Sequence, residues 1–255
     1  MAFCTVSFKG EALGKCNHLD VILPDAGDGP FPVLYLLHGL SDDQTIWSRH
    51  VPVADLVRDL PLIVAMPDGG KGFYCDNPAP GGGQYESHIV HDVLGFMDRT
   101  FPTIASREGR AVAGNSMGGF GALMLAMRHP GEFCAAVSHS GAMYFAHGDR
   151  PIDHEYVSAL AGGLPAGKYD LFGLAAKARA AGTLPALRMD CGTEDHLLES
   201  NRAFHAHLDE QRIPHEYAEH PGGHTWQYWR DHIGETLAFV TRQLAMPEAR
   251  EEPVP

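Results

Sequence analysis

The chain has 255 residues, 44% hydrophobic and 20% charged, which suits one soluble domain with a full-sized core. Its formal charge of −13 argues against a nucleic-acid or anionic-membrane surface, since both need clustered Lys and Arg. No run of about 18 apolar residues is present to span a bilayer, and residues 1–14 carry no apolar segment behind a basic start that would read as a signal peptide.

The five cysteines (Cys4, Cys16, Cys75, Cys134, Cys191) are scattered and form no Cys-x-x-Cys pair, which predicts free thiols in a reducing compartment and a cytoplasmic protein.

In chain order, residues 3–8 and 18–23 read as short antiparallel strands at a sheet edge. The continuous apolar run 33–37 reads as a central strand covered on both faces. It ends in His38-Gly39-Leu40-Ser41, and a helix is expected over 45–59. Residues 62–66 form the next buried strand, and a long Gly/Pro-rich loop spans 69–84. Apolar residues at helical spacing follow over 85–101, stopped by Pro102.

Further strands are expected at 111–113, 133–138, 186–190 and 215–219, with helices over 120–127, 197–212 and 226–244. The segment 141–182 breaks this rhythm and reads as an insertion over the sheet's carboxyl edge. Residues 1–245 are thus expected to form a single domain, with 246–255 an acidic, disordered tail. Alternating strands and helices predict an α/β fold: a mostly parallel sheet with helices on both faces and its site at the carboxyl ends of the strands.

The chemistry centres on Gly114-Asn115-Ser116-Met117-Gly118, which follows a short buried strand and opens an apolar helix. Gly-x-Ser-x-Gly in that context is a nucleophile elbow, in which a strained backbone holds the hydroxyl clear of the sheet. A serine needs a base, and the base needs an orienting carboxylate. Among 16 histidines, His224 stands out in the turn Pro221-Gly222-Gly223-His224-Thr225-Trp226, with His220 the nearest rival. For the acid, Asp195 in Cys191-Gly192-Thr193-Glu194-Asp195-His196 is the choice, and Glu194 and Asp190 stay open as alternatives. The bland reading of this turn is a helix cap, which can coexist with a catalytic role.

The oxyanion needs backbone donors. Met117 N–H, after the nucleophile, and Leu40 N–H, in the loop after the strand 33–37, are the candidates. Trp47, Tyr144, Phe145 and Trp226 are candidate aromatic pocket walls, with core packing the favoured alternative for each.

Leu36-Leu37-His38-Gly39-Leu40-Ser41, Trp47, Tyr85-Glu86, Gly114-Asn115-Ser116-Met117-Gly118-Gly119 and Gly222-Gly223-His224-Thr225-Trp226 occur in that order. Together they resemble the esterase D branch of the α/β-hydrolases, which includes S-formylglutathione hydrolases, tributyrin-type esterases, feruloyl and acetyl-xylan esterases and mycolyltransferases. The resemblance implies the triad Ser116, Asp195 and His224 with Leu40 and Met117 as oxyanion donors. Trp226-Gln227-Tyr228-Trp229 is most similar to the tributyrin-type esterases. Asn115 departs from the His that S-formylglutathione hydrolases usually carry before the serine.

The expected activity is a serine carboxylesterase for short acyl or small aromatic esters, with a thioesterase or a feruloyl or acetyl-xylan esterase as alternatives. A catalytically silent binding protein is the alternative from outside enzymology. No cofactor and no metal are expected: His196, His205 and His207 are local, but His205-x-His207 does not share a helix face. The expected partner is a small-molecule ester, and a homo-oligomer is compatible with the sequence.

Overall fold

The computed structural model describes residues 1–25, 27, 29–79, 82–148 and 154–247. From residue 248 on, the tail expected to be disordered lies outside the described residues. β1 (Ala2–Lys9) and β2 (Cys16–Leu23) pair antiparallel at one edge of the sheet. β3 (Val33–Leu37), β4 (Ile63–Pro67), β5 (Arg110–Asn115), β6 (Ala135–His139), β7 (Ala186–Gly192) and β8 (Glu216–His220) run parallel to one another. Among the described residues the order is β1-β2-β4-β3-β5-β6-β7-β8. The winding therefore reverses between β3 and β5, and a crevice opens at the carboxyl ends of strands at such a switch point.

Alternation along β3 explains why its sequence is apolar throughout. Val33, Tyr35 and Leu37 face one core layer with Met97, Phe120, Leu123, Leu174 and Phe204. Leu34 and Leu36 face the other layer, with Trp47, Trp229, Ile233, Leu237 and Val240. Each fully buried side chain of this size contributes about 1.5–3 kcal/mol.

The helix expected over 45–59 is two short ones, α1 (Ile46–His50) and α2 (Val53–Leu56). Pro52 is the cause: Val51 before it is extended (φ −128°, ψ 133°), as the proline ring demands of its predecessor. α3 (Tyr85–Ser87) passes through a π-helical stretch, His88–Val93, into α4 (Leu94–Thr100). α5 (Met117–Arg128) is buried along nearly its whole length.

The segment 141–182 is more regular than its sequence suggests, for it holds α6 (Glu155–Gly162) and α7 (Leu171–Ala181). α7 buries Leu171, Leu174, Ala175 and Ala178 in the main core. Its buried face is half alanine, so the apolar periodicity is faint in sequence. α8 (Leu198–Glu210) and α9 (Trp226–Gln243) complete the layers. No helix among the described residues is long and apolar enough to cross a membrane.

Candidate active site

β5 delivers Ser116 at the switch point, and the turn into α5 is strained as expected. Ser116 has φ 54° and ψ −117°, a region that non-glycine residues avoid. The strain is held from both sides: Ser116 N–H donates to His139 C=O (2.9 Å), and Ser116 C=O accepts from Phe120 N–H (3.1 Å). A Cβ on Gly114 would stand 2.6 Å from Gly118 backbone atoms, and one on Gly118 would stand 2.6 Å from Leu37 C=O. Neither position accommodates a side chain.

The loops after β7 and β8 are hydrogen-bonded together. Thr193 N–H donates to His220 C=O and Glu194 N–H to Gly222 C=O, each at 2.9 Å. That lacing sets Asp195 beside His224. His224 Nδ1 lies 2.9 Å from Asp195 Oδ2 and 3.1 Å from Oδ1, and His224 Nε2 lies 2.9 Å from Ser116 Oγ. Asp195 Oδ1 also accepts Leu197 N–H (2.8 Å), so the turn-capping and triad geometries share one carboxylate.

Burial is the largest influence on Asp195 and pushes its carboxyl up. The hydrogen bond and charge of His224, with Leu197 N–H and Ser140, outweigh it and hold the carboxyl below its ordinary value. Asp195 is therefore ionised at neutral pH.

Gly39 lies against the elbow: a Cβ there would stand 3.6 Å from Ser116 Cβ. His38 is buried and reads its neighbours through both ring nitrogens. Gly69 N–H, which can only donate, points at Nε2 (2.8 Å), so the ring proton sits on Nδ1 and donates to Gly39 C=O (2.7 Å). Tyr74 OH donates to His38 C=O (3.0 Å). In a trans peptide the C=O and the following N–H point opposite ways, so the bond from His38 Nδ1 to Gly39 C=O turns Leu40 N–H away from His38. No backbone acceptor takes that N–H among the described residues. Met117 is the first residue of α5, so its N–H has no intrahelical acceptor either.

The four aromatic residues expected to wall the pocket fall in two groups. Trp47 and Phe145 are buried: Trp47 Nε1 donates to Leu37 C=O (2.9 Å), and Phe145 stacks on Phe73 at 3.9 Å. Both are packing residues, with no open face for a substrate. Tyr144 and Trp226 are partly exposed, Tyr144 stacked with His147 and Trp226 with His50. A separate cavity of about 670 Å³, lined by Lys15, Lys71, Asn77, Tyr85 and Tyr156, touches neither Ser116 nor His224.

The alternatives for acid and base sit elsewhere. Glu194 is exposed, and His220 contacts Glu235 (3.3 Å). Asp190 is fully buried, 2.8 Å from His139 Nδ1. The sequence reading missed His139 and Ser140. Their signal was polar residues, Ser138-His139-Ser140, closing an otherwise apolar strand at the sheet's carboxyl edge. Trp229 Nε1 donates to Ser140 Oγ (3.3 Å), and Ser140 holds a positive φ of 49°. All five cysteines are free. Burial pushes the Cys191 thiol up to about 12, so the sulfur nearest the acid loop is no rival nucleophile at neutral pH.

The esterase family model matches residues 10–240. An esterase of Mycobacterium tuberculosis (strain H37Rv) is 33% identical over 250 residues, which cover 86% of this chain but 55% of that protein. The chain thus spans about half the length of that curated relative. An acetyl esterase of Caldicellulosiruptor saccharolyticus is 27% identical, covering 95% of this chain and 99% of its own. The fluorophosphonate-binding serine hydrolase F of Staphylococcus aureus superposes with a TM-score of 0.83 at 27% identity, covering 94% of this chain and 98% of its own. The chain belongs to the esterase family and has the α/β-hydrolase fold.

Proposed function

From that membership we propose a serine carboxylesterase that hydrolyses short-chain acyl or small aromatic esters through Ser116, His224 and Asp195. The observation that carries this reading is the unbroken chain of contacts from Ser116 Oγ to His224 Nε2 (2.9 Å) and from His224 Nδ1 to Asp195 (2.9 Å). The strained elbow beneath it holds the hydroxyl where a carbonyl carbon can approach.

Ser116 Oγ attacks the ester carbonyl as His224 Nε2 takes its proton. Ionised Asp195 holds the imidazole tautomer and stabilises the imidazolium that forms. Leu40 N–H and Met117 N–H stabilise the tetrahedral oxyanion. His224 then gives its proton to the departing alkoxide, leaving an acyl-serine and a free alcohol. Water, deprotonated by His224, attacks the acyl carbon, the serine leaves with the proton, and the acid is released. The preference for short acyl groups draws support from the acetyl esterase relative.

The test is a panel of p-nitrophenyl esters from acetate to laurate, beside methyl ferulate and S-formylglutathione, on wild type and Ser116→Ala. Serine-dependent turnover peaking at acetate or butyrate supports the proposal. Selective turnover of the ferulate or the thioester keeps the chemistry and replaces the substrate class. No turnover of any member overturns the activity.

A further inference from the structure

Three clusters among the described residues bring two histidines and a carboxylate within reach of one cation: Asp195/His196/His224, His220/His232/Glu235 and His205/Asp209/His215. The first is committed to the candidate triad, with His224 Nε2 on Ser116. In the second, the two imidazoles stack with centroids 4.0 Å apart and planes 12° from parallel. Their in-plane lone pairs run side by side and do not converge, and Arg188 already engages Glu235. The third cluster carries neither objection.

His205 and Asp209 are four residues apart on α8 and share a face. His215, immediately before β8, keeps only 3% of its side chain exposed and meets His205 with the ring planes at 67°. His215 Nδ1 donates to Ile213 C=O (2.8 Å), which fixes its tautomer and leaves the Nε2 lone pair facing the cluster. That lone pair stands 2.7 Å from His205 Nδ1 and 4.0 Å from Asp209 Oδ1. Tyr217 stacks on the His205 ring (4.2 Å, 16°) and holds it in place. Asp209 pairs with no Lys or Arg among the described residues.

We propose that His205, Asp209 and His215 form a site for a borderline divalent transition metal such as Zn²⁺, with water completing the coordination. Imidazole and carboxylate are the ligands such ions take, and a ligating histidine whose other nitrogen donates to a backbone carbonyl is the arrangement that orients it. Bonds of about 2.0–2.1 Å place tetrahedral donors about 3.3–3.4 Å apart. His215 Nε2 stands 2.7 Å from His205 Nδ1 and 4.0 Å from Asp209 Oδ1, which bracket that value. One donor atom from each of the three residues lies within 4.8 Å of the others, so small side-chain shifts bring them to an ion.

The ion takes the place of the proton on His205 Nδ1, which passes to Nε2 of the same ring or to solvent. Protonated imidazoles must first release their protons, so affinity falls in acid. The site lies at the amino end of β8, and the His224 loop leaves its carboxyl end. Five strand residues, about 16 Å, separate them, so the metal pins α8 to the strand that carries the His224 loop.

The experiment is calorimetric titration of ZnCl₂ into untagged, chelator-stripped protein at neutral pH and near pH 5.5, for wild type, His215→Ala, Asp209→Asn and His232→Ala. The proposal predicts one ion per chain in wild type, at least about tenfold weaker binding in the first two variants, and wild-type binding in His232→Ala. It also predicts weaker binding at the lower pH and unchanged ester turnover in His215→Ala. Asp209 is exposed, so Asp209→Asn tests the site even where His215→Ala fails to fold. No stoichiometric site, or a site that survives both substitutions, overturns it.

Discussion

Two hydroxyl–histidine–aspartate constellations stand among the described residues. In one, Ser116 Oγ, His224 and Asp195 are joined at 2.9 and 2.9 Å. In the other, Thr236 Oγ1 lies 2.6 Å from His139 Nε2, and His139 Nδ1 lies 2.8 Å from Asp190. The second arises from register: His139 and Asp190 are direct partners on β6 and β7, and Thr236 reaches them from the buried face of α9.

Connectivity therefore does not make a site. His224 keeps 21% of its side chain open, while His139 and Asp190 have none. Ser116 sits at positive φ beside a free helix N-terminus, whereas Thr236 lies within a helix. Tyr228 OH (3.1 Å) and Arg188 (3.6 Å) close around Asp190, so that cluster reads as a structural lock beneath the elbow.

Substitutions separate the two constellations. Ser116→Ala is expected to lower kcat by about 10⁶-fold with no loss of stability, because the members of a triad act as a unit. Steady-state kinetics and urea unfolding check both halves. Asp190→Ala is expected to do the reverse. Removing one partner from a buried ionic cluster costs about 3–5 kcal/mol of stability, while turnover per folded molecule stays within about tenfold of wild type. An Asp190→Ala protein that folds normally but is inactive would reverse the assignment of the two acids.

His38→Phe removes the bond that turns the Gly39–Leu40 peptide. It is expected to lower kcat by roughly 10- to 100-fold with little change in KM, less than the loss of an oxyanion donor itself. A rise in KM alone would make His38 a pocket residue.

The smallest effect concerns acid. Both Asp190 and Asp195 are held below the ordinary value of 3.8: burial pushes each up, and the paired histidine and other donors outweigh it. A depressed carboxyl stabilises the fold above its unfolded value, and that stability is lost as pH falls through the folded value. Unfolding free energy should therefore hold above about pH 4 and drop below it, less steeply in Asp195→Asn. An identical acid profile in that variant would leave Asp195 without a folded-state preference for charge.

Much of this was legible in sequence, for physical reasons. The strand at 33–37 is apolar at every position because both faces are covered, and Gly114 and Gly118 are required by contacts of 2.6 Å. Asp195 and His224 stand out because each follows a strand in a short loop at the sheet's carboxyl edge. What escaped depends on pairing between distant strands. No local pattern announces that His139 faces Asp190, that His38 holds Gly39 in place, or that His205 meets His215 across a turn. α7 escaped for another reason, since alanine buries a helix face without a strong apolar rhythm. For Trp47 and Phe145 the sequence leaves pocket wall and core packing both open, with packing favoured, and burial places them in the core.

The most direct test of Ser116 as the nucleophile is mass spectrometry after treatment with a fluorophosphonate, which phosphonylates an activated serine with loss of fluoride. The account predicts a single adduct, on the peptide carrying Ser116, absent from Ser116→Ala and from His224→Ala. An adduct on any other residue, or none under conditions where the ester substrate is turned over, would contradict it.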